Sequence, residues 1–192
     1  MGLEMIKVNW FAPVVPGVEL AGIELGAARE EFESMLLECC VDPKARVYKF
    51  SDTPLLVLDV TESSGKTFFR FDIFDLNLTG WNLQFPGSEK VLSETRALVV
   101  GFLNGRVSNI SVWMFDYFGS LGDKRLTYSY QGKVEGWGLG SRVDCAATCF
   151  ELIYDEAEEW FYARTDRIIF GGGGGGSLED SEDQLIHMIM IF

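Results

Sequence analysis

The chain has 192 residues, of which 47% are hydrophobic and 14% aromatic. That is enough to bury a sizeable core, and it excludes a disordered chain. The formal net charge of −13 repels phosphate backbones and anionic lipid, so it argues against direct nucleic-acid or membrane binding and favours a basic protein partner.

The N-terminal stretch MGLEMIKVNWFAPVVPGVEL has no apolar signal core, and no run of about 18 apolar residues follows anywhere. A cytoplasmic protein is expected. Met1-Gly2 does not open a myristoylation signal, because Ile6 stands where Ser or Thr is required.

Residues 18–36 and 132–150 share a pattern: Gly22, Leu25, Gly26 and Ala27 match Gly136, Leu139, Gly140 and Ser141. A helical period follows each. Phe32, Leu36, Cys39 and Cys40 fall on one face of the first helix, and Val143, Ala146, Ala147 and Phe150 on one face of the second. Ser141 with Asp144 forms a short capping box.

After each helix the period changes to two. In the first half it predicts strands over Arg46–Phe50, Leu55–Val60, Thr67–Phe74, Trp81–Phe85, Ala97–Leu103 and Val107–Phe115. Asn104-Gly105 between the last two signals a type I′ hairpin. The second half predicts Leu152–Tyr154, Glu159–Ala163, Arg167–Phe170 and Gln184–Phe192. The fold expected is α+β: two pseudo-repeats, each a helix followed by an antiparallel β-meander, spanning 1–122 and 123–192, with the seam in Gly119–Gln131, which holds the basic pair Lys124 and Arg125.

The segment Gly171–Ser177 reads either as the tip of a long hairpin loop or as an engineered linker. In both cases Gln184–Phe192 should be a buried strand paired back into the sheet, since an exposed apolar strand invites aggregation.

No catalytic pattern emerges. The single His187 lies in the apolar stretch LIHMI, no G-x-S-x-G elbow occurs, and GGGGGGS lacks the lysine of a phosphate loop. Cys39, Cys40, Cys145 and Cys149 lack metal-ligand spacing and read as reduced core thiols. No enzyme, metal or cofactor is expected.

The charge is concentrated instead. Residues 151–192 carry ten acids against Arg164 and Arg167, which is −8 of the −13. Asp155, Glu156, Glu158 and Glu159 run into Trp160 and Tyr162, and Glu179, Asp180, Glu182 and Asp183 form a second cluster. If 159–163 is a strand, Trp160 and Tyr162 share one face and Phe161 takes the other. Acids around aromatic anchors make up a protein-binding surface for a basic partner. These ten residues are the candidate site.

The stretches IYDEAEEWFYARTDRIIF and LEDSEDQLIHMIMIF, with GKVEGWGLGS, resemble small cytosolic bacterial proteins encoded beside secreted antibacterial toxins, the immunity proteins of interbacterial competition. The helix-plus-sheet plan also resembles β-lactamase inhibitor proteins, which bind an enzyme across a concave sheet. The resemblance implies a non-catalytic inhibitor of a basic, nuclease-like toxin. An acidic DNA mimic that blocks a DNA-binding enzyme, and a plain structural or interaction domain, are the alternatives.

Overall fold

A computed structural model describes residues 6–80, 82–84, 91–117, 126–172 and 176–192. A small hairpin, β1 (Glu19–Leu20) and β2 (Ile23–Glu24), precedes α1 (Arg29–Cys39). Then come β3 (Cys40–Asp42), β4 (Val47–Tyr48), β5 (Leu56–Ser63) and β6 (Lys66–Ile73), a short pair β7 (Asn82–Gln84) and β8 (Val91–Ser93), β9 (Arg96–Leu103) and β10 (Arg106–Trp113). The rest is α2 (Val143–Ala146), β11 (Ile153–Asp155), β12 (Trp160–Ala163), β13 (Ile168–Gly171) and β14 (Met188–Ile191).

Ten strands form one antiparallel sheet in the order β11-β12-β13-β14-β10-β9-β6-β5-β4-β3. Its backbone is the long run β5-β6-β9-β10, where the alternation is cleanest. Leu56 and Leu58, Phe69, Phe71 and Ile73, and Leu98, Val100 and Phe102 all turn to the face that carries α1. Phe32 of α1 drops between them, its ring 5.7 Å from Phe69 and 5.6 Å from Phe102. Burying a phenylalanine of this kind contributes roughly 2–3 kcal/mol. Asn104 and Gly105 both have positive φ, 51° and 74°, so the expected type I′ turn closes β9 onto β10.

The α+β expectation is overturned. The chain is mostly β, with one ten-stranded sheet and two α-helices among the described residues, and it is not a pair of helix-plus-meander pseudo-repeats. The reason is β14. It pairs on one side with β13 (Ile168↔Ile191) and on the other with β10 (Ile110↔Ile191), which makes a single sheet of what periodicity reads as two. The second helix is also only four residues long. Its capping box does not form: Ser141 Oγ accepts from the Gly138 N–H, and Asp144 pairs with Arg142. The shared glycine motif is therefore a turn used twice at the rim of one sheet. Gly26 N–H donates to Val107 C=O, and Gly140 N–H to Ile186 C=O.

Gln184–Phe192 does supply a buried strand, though only Met188–Ile191 is paired as one. The four cysteines are free, but none is fully buried, and of the four Cys39 packs against the core. Cys39, Cys40 and Cys145 are half-buried, and Cys149 is exposed. Met1-Gly2, Trp81 and Phe85, the seam residues 119–125 with Lys124 and Arg125, and Gly173–Gly175 lie outside the described residues, as does the expected boundary at 122/123. Among the described residues no helix is long and apolar enough to cross a membrane.

Candidate partner-binding site

The first acidic cluster is the turn between β11 and β12. Asp155 ends β11, and its Oδ1 accepts from the N–H groups of Ala157 at 3.0 Å and Glu158 at 3.2 Å. This Asx turn reverses the chain, and Glu159, with φ of 56°, delivers it into β12. The same plan recurs between β3 and β4, where Asp42 accepts from Lys44 and Ala45 and Arg46 has φ of 56°.

The hairpin sorts its aromatics by face. Phe161 is buried on the helix-bearing side, with the Tyr154 ring 5.0 Å from it. Trp160 and Tyr162 point the other way and join a second apolar cluster with Trp113, Ile169, Met188, Val99, Met190 and Phe192.

The second acidic cluster lies in the connection from β13 to β14. Gln184, only 5% exposed, folds this loop: its Nε2 donates to the carbonyls of Gly176, Ser177 and Ser181 at 2.7, 3.2 and 3.2 Å. Asp180 caps the turn, accepting from Ser177 N–H at 3.0 Å and Oγ–H at 2.8 Å.

One member of the second cluster, Asp180, acts with the first cluster on Tyr154. Its phenol is held above the ordinary value first by partial burial, then by the carboxylates of Glu159, Asp180, Glu156 and Asp155. On the opposite face, partial burial followed by Asp155 and Glu158 raises the Tyr162 phenol, against a smaller opposing effect of Arg164. Five of the eight candidate acids thus lie at or beside the hairpin. Asp155, Glu156, Glu158, Glu159 and Asp180 gather there. Asp183 instead pairs with Arg142 at 2.8 Å, and the Glu182 backbone carbonyl accepts from the same guanidinium at 3.3 Å. Glu179 is exposed on the loop with no hydrogen bond or ion pair recorded among the described residues.

Sequence reading missed the rest of the second apolar cluster and the ionic group within it. Glu94, 3% exposed, holds Arg96 through Nε and Nη2 at 2.9 and 2.7 Å. The Arg96 guanidinium lies 3.5 Å from the Trp113 ring centre, and Trp113 packs against His187 with ring centres 5.8 Å apart. The legible signal was in β14, where Met188, Met190 and Phe192 alternate with Ile189 and Ile191. His187 is buried, and its pKa falls to about 4, chiefly by desolvation; Glu94 raises it and Arg96 lowers it. Cavities of about 220 Å³ beside Met35, Cys39 and Phe50, and about 250 Å³ beside Tyr130 and Gly138, are not lined by His187. No group of three or more His, Cys, Asp or Glu is placed to hold a metal ion among the described residues.

Fold and site together define a predominantly β protein whose ten-stranded sheet carries an acidic, aromatic-flanked hairpin at one end. No protein-family model, curated protein or solved structure matches the chain.

Proposed function

We propose that this chain is an immunity protein: a cytoplasmic, non-catalytic inhibitor that neutralises a cognate basic, nuclease-like antibacterial toxin by direct binding. The observation that carries this reading is that Asp180 of the second acidic segment and Glu159, Glu156 and Asp155 of the first all act on the phenol of Tyr154, so acids separate in sequence share one negative neighbourhood. A nuclease is basic where it holds its anionic substrate. A compact negative face is steered to that groove, with on-rates up to about 10⁸–10⁹ M⁻¹s⁻¹ at low salt. Trp160 and Tyr162, beside Met190 and Phe192 on the open face, supply the apolar contact that slows dissociation.

The test begins with the reading frame next to this one. Its product, or that product's C-terminal domain, should arrest growth when expressed alone and lose that effect when this chain is co-expressed. Glu156, Glu158 and Glu159 are the positions to reverse to lysine, because their carboxylates hold no turn; Asp155 and Asp180 each cap one. The triple variant should fold normally and associate at least tenfold more slowly at low salt, with little change in dissociation. A harmless neighbouring product, or full and salt-independent affinity in the triple variant, would end this reading.

A further inference from the structure

The sheet ends at β11, and among the described residues no strand pairs with its outer edge. An open edge presents backbone N–H and C=O groups that another strand can use. β11 is three residues long, and Ile153 at its start is 50% exposed. Asp155 ends it, Glu151, Glu156, Glu158 and Glu159 flank it in the chain, and Asp180 of the neighbouring loop acts on Tyr154.

These charges decide what the edge accepts. A second copy pairing edge to edge would bring carboxylates opposite carboxylates, which is destabilising. A strand bearing lysine or arginine at alternate positions would meet them with the opposite sign. The other end of the sheet does not share this character. There β3 runs into a turn that carries Lys44 and Arg46.

We propose that β11 is a docking edge that takes an extended, lysine- or arginine-bearing strand from a basic protein partner, lengthening the sheet by one strand. The proposal rests on the inhibitor reading above and names the form in which the partner meets the acidic surface. Backbone pairing supplies the main attraction, the carboxylates select the sign of the incoming strand, and Tyr154 and Tyr162 offer an aromatic contact on either face of the hairpin.

The probe is an end-blocked decapeptide of alternating lysine and valine, titrated into the full chain and read by amide hydrogen exchange and chemical shift. Exchange at Ile153, Tyr154 and Asp155 should slow at least tenfold at saturation, with the largest shifts in β11. A peptide N-methylated at two adjacent central residues, which spoils both of its edges, should bind at least tenfold more weakly, and a peptide with glutamate for lysine should not bind. Equal binding of the N-methylated peptide, with β11 exchange unchanged, would overturn strand addition while leaving an acidic docking surface in place. Failure of every peptide to bind overturns strand addition too, and the charge-reversal kinetics then judge the inhibitor reading separately. Dimerisation of the chain through β11 would assign the edge to a second copy instead.

Discussion

The guanidinium of Arg96 lies 3.5 Å from the ring centre of Trp113, held there by the buried carboxylate of Glu94. Half of this arrangement is costly to keep without the other. Removing Arg96 leaves Glu94, 3% exposed, with backbone donors alone from Thr95 and Arg96. Arg96→Met should therefore lose about 3–5 kcal/mol in urea unfolding. Glu94→Gln with Arg96→Met removes both charges and should recover most of that loss. A double variant as unstable as the single one would show that the stack on Trp113, not the charge pair, dominates.

Acid should weaken the fold through His187. Its folded pKa is about 4, below the 6.5 of an exposed imidazole, because burial disfavours the charged ring. Between these values the unfolded chain binds a proton that the folded chain does not. Stability from this residue is complete above pH 6.5 and is lost as pH falls toward 4, about 3 kcal/mol in all. Carboxylates titrate in the same range, so the comparison is with His187→Gln. The parent should lose stability relative to this variant as pH falls from 6.5 to 4, while the difference between the two curves stays flat from pH 7 to 9.

Much of the sheet was legible because its strands are half-buried and alternate. β5, β6, β9 and β10 lie within about a residue or a few of their expected spans, and Asn104-Gly105 forms the turn that its residue types demand. Ser64-Gly65 makes a similar turn, with φ of 52° and 77°, and its Ser-Gly signal went unread. β3 was hidden because it follows α1 without a break and is three residues long. The pairing of β10 with β14 has no local signature, since period two says which face a residue takes and not which strand lies beside it. The site divides in the same way. The opposite faces of Phe161 and Trp160 followed from the period, whereas the approach of Asp180 to Tyr154 depends on a loop folded by Gln184.

Alternation in β14 should be measurable as two classes of stability loss. Ile189 is fully buried, paired with Phe170 on one side and Val112 on the other. Ile189→Ala should cost about 2–5 kcal/mol, the range for truncating a core aliphatic. Met190, half-buried on the open face, is less enclosed. Met190→Thr should cost about 1 kcal/mol or less, because only part of its surface leaves water on folding. Equal losses at the two positions would mean that the open face is as closed as the core.

Glu159 separates folding from binding at one residue. Its φ of 56° places an L side chain in the left-handed region, which costs roughly 1 kcal/mol and which glycine adopts freely. Glycine also makes the unfolded chain more flexible, at a cost of about 0.4–1 kcal/mol. Glu159→Gly should therefore melt within a few degrees of the parent. The same change removes the carboxylate that acts most strongly on Tyr154 among the neighbouring acids. Association with the proposed basic partner should slow several-fold at low salt and little at high salt, while Glu159→Gln, which keeps the strain and loses the charge, should slow it equally. A glutamine variant that binds as fast as the parent would move the effect from charge to turn geometry, and Glu159 would leave the docking surface.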